Sequence, residues 1–281
     1  MKKGILFFLF LIATWLVYAQ CGMQKRISDI KAKKQFAENG ISLTTADFVA
    51  NGTVLHYAKT GADTLPTLFF VHGSPGSWIK FGKYLMDTDL LKKYRMISID
   101  RPGFGYSNFG QAKKIQGQSD IISRFLLAIK NGKPVFAIGR SYGGPMIAKL
   151  AVDNPGHFSG LIFCAAALDP EAERKEKWRP LLTKFPLKYF VPGAWRPSNQ
   201  ELWWLKKELY PLSEKLKTIT CPVIIFHGDK DKLVPVSNAA YAKKMLINAA
   251  SVSVTIIPGG GHHVSDDYYE LVKAEILKLT E

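Results

Sequence analysis

The sequence predicts an α/β fold built on a mostly parallel, doubly wound sheet, and three observations predict it. Apolar runs of strand length recur at residues 67–71, 95–99, 134–138, 161–165, 223–226 and 252–257; runs apolar at successive positions are typical of strands covered on both faces. Stretches with helical spacing separate them, at 78–93, 119–130, 145–152, 237–247 and 266–279, and steady strand–helix alternation is what parallel crossovers require. Ahead of them, residues 43–49 and 53–59 flank the turn Asn51-Gly52, an antiparallel hairpin signal that opens the sheet.

Length and composition agree with one such unit. The chain has 281 residues, 47% hydrophobic and 22% charged, enough for one large core with a small inserted subdomain. Residues 168–220 are too long and too aromatic for a simple crossover helix, with Trp178, Phe185, Tyr189, Trp195, Trp203 and Trp204 set among prolines. They are expected to form a helical cap over the C-terminal edge of the sheet, where open α/β sheets bind ligands.

The N-terminus carries a different signal. Lys2 and Lys3 precede an uncharged apolar stretch beginning at Gly4, so residues 1–24 are expected to be a signal peptide or membrane anchor. Val17 and Ala19 suit signal-peptidase cleavage after Ala19, Cys21 is a candidate for lipidation, and about 20 uncharged residues would cross a bilayer if retained. Each outcome places the remaining chain on the outer side of the cytoplasmic membrane, in the cell envelope. Residues 25–40 read as a polar tether or short surface helix, leaving 41–281 as the folded domain.

Charge and cysteine usage exclude several classes. The net charge is +15, yet the lysines are scattered and form no basic run interleaved with aromatics, so no nucleic-acid partner is expected. Such a surface suits anionic lipid head groups better. Cys21, Cys164 and Cys221 make neither a disulfide framework nor a C-x-x-C metal site. With no H-E-x-x-H either, no metal and no cofactor is expected.

The chemistry-bearing residues fall at strand ends. Gly139-Arg140-Ser141-Tyr142-Gly143 lies between the third of the apolar-run strands, 134–138, and its following helix. A serine in such a tight strand-to-helix turn has a strained backbone and an exposed hydroxyl, with the helix N-terminus behind it to stabilise an oxyanion. A serine needs a base, and of six histidines His262 is favoured, because it follows Gly259-Gly260-Gly261 directly after the last strand; His263 is the alternative. The acid is expected on a loop after a strand, between serine and histidine in the chain. Asp231 fits, Asp229 reads as a turn-capping carboxylate, and Asp169 stands in a second location used by some related folds. His72-Gly73-Ser74-Pro75-Gly76 closes the first parallel strand, where the Ser74 amide is placed to join that of Tyr142 as an oxyanion hole. Residues 100–107 read as a structural loop bordering the pocket.

Taken together, these segments resemble the α/β-hydrolase superfamily: the His-Gly-x-Pro-Gly loop, Asp-Arg-Pro-Gly-x-Gly-x-Ser, the Gly-x-Ser-x-Gly elbow, Gly-x-x-Asp-x-x-Val-Pro, and the late Gly-His, in that family's order. The likeness runs from about Leu43 to the C-terminus. It implies an α/β-hydrolase fold, a Ser141–His262–Asp231 triad, oxyanion amides from Ser74 and Tyr142, and a capped serine esterase; the aromatic residues of the cap point to a small ester with a hydrophobic group. Arg140 departs from the histidine or small polar residue often found before the nucleophile, and is expected to change the pocket's charge without removing catalysis. Dehalogenases and epoxide hydrolases of this fold carry an aspartate where Ser141 stands. Proline iminopeptidases remain an alternative, with Glu171, Glu173 and Glu176 as candidate partners for a free amino group. A non-catalytic binding module on the same fold is the reading from a different class.

Overall fold

Strands β1 (Thr44–Ala50), β2 (Thr53–Thr60), β3 (Thr67–Val71), β4 (Arg95–Ile99), β5 (Val135–Arg140), β6 (Gly160–Cys164), β7 (Val223–Gly228) and β8 (Val252–Ile257) form one sheet in the order β1-β2-β4-β3-β5-β6-β7-β8. They belong to a computed structural model that describes residues 2–174 and 176–280. β1 pairs with β2, and β2 with β4, antiparallel; every later pairing is parallel. This is the doubly wound sheet, opened by a hairpin, that the apolar runs predict.

The runs look continuous because both faces are buried. Phe69 and Val71 of β3 join one core with Phe125, Met146 and Leu205, while Leu68 and Phe70 join the opposite core with Phe36, Trp78 and Tyr84. Period-2 alternation thus survives beneath a run in which every residue is apolar.

Ten α-helices are described: α1 (Lys2–Cys21), α2 (Asp29–Glu38), α3 (Gly82–Leu85), α4 (Thr88–Lys93), α5 (Ile115–Ala128), α6 (Gly143–Asp153), α7 (Trp195–Ser213), α8 (Ser237–Met245), α9 (Val264–Asp267) and α10 (Tyr269–Lys278). Two expectations change. The helical stretch 78–93 is not one helix but a 3₁₀ turn, Trp78–Phe81, followed by α3 and α4. Asp87 forces the restart, because its carboxylate accepts from the Asp89 and Leu90 amides at 2.9 and 3.0 Å and so caps a new helix. The stretch 266–279 is likewise divided into α9 and α10.

Within the polar segment 25–40, α2 starts at Ser28, whose hydroxyl accepts from the Lys31 amide. It buries Ala32 and Phe36 completely, an i, i+4 pair that fixes one face of the helix to the core. The apolar α1 exposes Phe7, Phe8 and Phe10. Its C-terminal half meets the chain between β6 and β7: Trp15 Nε1 donates to the Phe190 carbonyl at 3.1 Å, Gln20 to the Tyr189 carbonyl at 3.0 Å, and the Gly193 amide donates to Ala19 at 2.8 Å.

The winding brings β3 and β5 side by side, with Val71 opposite Gly139. Their C-terminal loops therefore emerge together, beside the point where strand order reverses. Open α/β sheets place ligands at this kind of crevice.

Candidate active site

Ser141 sits where β5 turns into α6, with φ of 53°, a left-handed conformation that L-residues adopt only under constraint. The constraint is visible on both sides. A Cβ on Gly143 would stand 2.1 Å from the Val71 carbonyl oxygen, and one on Gly139 would stand 2.3 Å from the Gly143 carbonyl oxygen. Only glycine lets the backbone close this tightly. The Ser141 amide donates to the Cys164 carbonyl at 2.9 Å, which ties the elbow to β6. The loop after β3 lies against it, since a Cβ on Gly73 would meet the Ser141 Cβ at 3.0 Å.

His262 and Asp231 are joined directly. His262 Nδ1 lies 2.7 Å from Asp231 Oδ2, leaving Nε2 as the ring nitrogen available for proton transfer. Asp231 is shielded from solvent, and its other oxygen accepts from the Leu233 and Val234 amides at 2.8 and 2.9 Å. Burial by itself would raise this carboxyl, but hydrogen bonds from His227, His262 and the Val234 amide outweigh it and hold the group well below the usual carboxylate range. It is an anion over the working pH range.

The alternative residues have other occupations. Asp229 accepts from the Gly259 amide at 2.8 Å, a loop-fastening role. Asp169 accepts from the Glu171 amide at 2.8 Å. His263 lies against Arg140, whose guanidinium also donates to Asp266 at 2.5 Å; burial, and next the Arg140 charge, lowers the pKa of this imidazole. His72 is fully buried. It takes the Arg101 amide on Nε2 at 2.9 Å and lies 2.7 Å from the Gly73 carbonyl through Nδ1, the pattern of a neutral ring donating through Nδ1. Burial, with Arg101 beside it, keeps its pKa well below the usual value.

Two connected lobes of cavity meet at this point. Ser74, Ser141, Trp195, Leu233 and His262 belong to both, with volumes of about 310 and 290 Å³. Tyr142 lines the second lobe. The Ser74 hydroxyl donates to Ser198 of α7 at 2.8 Å, which ties the loop after β3 to that helix. Glu173 and Glu176 line the second lobe, whereas Glu171 is bound by the Tyr210 hydroxyl at 2.6 Å. Glu176 pairs with Arg179 at 2.6 Å, and burial pushes Glu173 up to about 7.

Three features of the site were not found in the sequence. His227, expected to be structural at a strand end, approaches Asp231 to 3.5 Å; its position one residue from the C-terminal edge of β7 was the only signal. Lys25, assigned to a tether, lines the lobe beside Ser141. Arg101 and Glu201 form a buried pair behind the loop after β3, and no local pattern links residues so distant in the chain.

Comparison with known proteins supports the same architecture. Residues 66–189 match the family described as the alpha/beta hydrolase fold. Over 140 residues the chain is 34% identical to 1-acylglycerol-3-phosphate O-acyltransferase of Arabidopsis thaliana, covering 47% of this chain and 31% of that one. Over 116 residues it is 32% identical to pimeloyl-[acyl-carrier protein] methyl ester esterase of Shewanella oneidensis, covering 40% of each. The chain thus spans less than half the length of either relative. Proline iminopeptidase PfmaB of Pestalotiopsis fici is 22% identical over 271 residues, 80% of this chain and 95% of that one. Among solved structures, the esterase of Exiguobacterium antarcticum superposes with a TM-score of 0.67 at 19% identity, covering 85% of this chain and all of the other.

Proposed function

The chain belongs to the α/β-hydrolase superfamily, and from that premise we propose that it hydrolyses carboxylic esters through an acyl-enzyme, using Ser141, His262 and Asp231. The observation that carries this reading is the 2.7 Å contact of His262 with a buried, anionic Asp231, at a cavity that Ser141 shares with His262. His262 Nε2 takes the Ser141 proton as Oγ attacks the ester carbonyl, and the amides of Ser74 and Tyr142 receive the negative charge on the carbonyl oxygen. The alkoxide then leaves with the proton from His262. Water, activated by the same ring, releases the acid and restores the serine.

Tyr142, Ala167, Leu202, Leu205 and Val234 on the second lobe suit a hydrophobic acyl group. Residues 168–220, from which Leu202 and Leu205 come, act as the cap in this reading, over a domain of residues 41–281. α1 is 20 residues long, with mean hydropathy of 2.0 in its most apolar window, and with residues 1–24 it serves as signal peptide or membrane anchor. The segment 25–40 links it to a catalytic domain on the outer side of the membrane.

A fluorophosphonate probe tests the nucleophile. Labelling, with hydrolysis of p-nitrophenyl esters, is expected in the native protein and absent in Ser141→Ala; an unlabelled native protein would point instead to a binding module. A second reading, aminopeptidase activity at a peptide N-terminus, is favoured by Glu173 and Glu176 on the second lobe and by the long alignment with an iminopeptidase. Cleavage of aminoacyl-nitroanilides in preference to esters would select it.

A further inference from the structure

The two lobes that meet at Ser141 differ in charge: the second sets Glu173 and Glu176 among Arg174, Arg179 and Lys232. The first is lined by Lys25, Lys80 and Arg140, and no carboxylate lines it with them. Arg140 is buried and held by Asp266 and His263. Lys25 and Lys80 are exposed and, among the described residues, neither ammonium takes part in an ion pair.

Neither lysine is loosely attached. The Lys25 carbonyl accepts from the fully buried Ser77 hydroxyl at 2.5 Å. The next residue, Arg26, donates to the Gly105 carbonyl at 2.8 Å and lies 4.2 Å from the centre of the Tyr106 ring. Lys80 stands on the turn Trp78–Phe81, whose Trp78 amide donates to Asp100 at 2.7 Å. Both backbones are therefore fastened to the loops that flank the nucleophile. With the Arg140 charge already paired to Asp266, the two lysine ammonium groups are the uncompensated charges facing this space, and their repulsion is relieved when an anion enters.

We propose that this lobe is a subsite for an anionic group, a phosphate or carboxylate, on the alcohol side of the scissile ester, with the acyl chain against Leu202, Leu205 and Val234 of the second lobe. The substrate class is then an amphiphilic anionic ester. The inference rests on the ester-hydrolase reading and adds to it the identity of the leaving half. Ammonium groups act as compact point charges well suited to phosphate, and Lys25 and Lys80 supply them.

The test compares kcat/KM for 1-hexanoylglycerol 3-phosphate and for neutral 1-hexanoylglycerol. The native protein is expected to favour the phosphate ester by about tenfold, the scale of a few exposed charge contacts, and 0.5 M NaCl is expected to shrink that ratio. In Lys25→Ala/Lys80→Ala the ratio falls towards one, whereas Lys25→Arg/Lys80→Arg retains it. Lys243→Ala/Lys244→Ala removes the same charge from exposed positions on α8 and keeps the native ratio. A second arm presents phosphatidylglycerol and diacylglycerol in phosphatidylcholine vesicles. A preference with the soluble pair assigns the subsite to a small phosphate ester, and a preference confined to vesicles assigns it to a lipid headgroup. Equal rates in both formats, or a ratio untouched by the double alanine variant, overturn the proposal. Fluorophosphonate labelling without turnover of either glyceryl ester overturns the subsite alone. Absence of labelling overturns both the subsite and the hydrolase reading beneath it.

Discussion

Arg101 and Glu201 form a two-pronged ion pair, Nη1 to Oε2 at 2.8 Å and Nη2 to Oε1 at 2.7 Å, with neither side chain exposed to solvent. The same guanidinium donates to the carbonyls of His72 and Gly73 at 2.9 and 3.1 Å and to Gln118 at 2.8 Å. α7 is thereby bound to the loop that carries Ser74. Glu201→Ala would leave a buried cation unpaired, a cost of about 3–5 kcal/mol, and a fall in Tm on the order of 10 °C is expected. Arg101→Met/Glu201→Met, which removes both charges, should recover part of that loss. Thermal unfolding of the three proteins checks this; a single variant as stable as the native chain would remove the anchor.

The two carboxylates after β7 should separate cleanly. Asp231→Asn removes the anion that orients His262 and is expected to lower kcat for p-nitrophenyl butyrate by about two to four orders of magnitude. Asp229→Asn should weaken a loop hydrogen bond, for about 1 kcal/mol of stability, with a much smaller effect on kcat. Because the folded Asp231 carboxyl lies below its ordinary 3.8, the stability it contributes is present above that value and lost as pH falls through the folded one. Acid unfolding of Asp231→Asn should therefore be less steep below pH 4 than that of the native chain.

Gly143→Ala probes the elbow. With 2.1 Å between the new Cβ and the Val71 carbonyl oxygen, β3 and β5 must move apart, at a cost of about 1–3 kcal/mol. Loss of fluorophosphonate labelling is expected together with a lower Tm. Retained labelling at the native rate would mean that the turn tolerates the shift.

Glu173 should make stability pH-dependent. Burial raises its folded pKa to about 7 from an ordinary 4.5, so between these values the folded chain holds a proton that the unfolded chain has released. Stability contributed this way is greatest near pH 4.5 and declines as pH rises to 7. Glu173→Gln should flatten the Tm profile across that window, and an unchanged slope would assign the dependence elsewhere.

The fold was legible because its signals are local. Each apolar run demands cover on both faces, and Asn51-Gly52 closes a hairpin between the two strands it separates. The elbow was legible for a related reason: a left-handed Ser141 packed against β3 requires Gly143, and such requirements leave a mark in adjacent residues. The division of 78–93 by Asp87 was less visible, since an aspartate inside a helical pattern also suits an exposed face. The choice between Asp229 and Asp231 depends on a loop conformation that their spacing does not describe.

What the sequence by itself determined is the order of elements and the residue types presented at strand ends, both consequences of backbone preference and side-chain periodicity. Only the tertiary structure decided which distant groups meet: His262 with Asp231, Arg101 with Glu201, and Lys25 with the space beside Ser141. Those meetings depend on how strands pair and how loops fold over their ends. They are set by packing across the whole sheet, and no short stretch of chain carries that information.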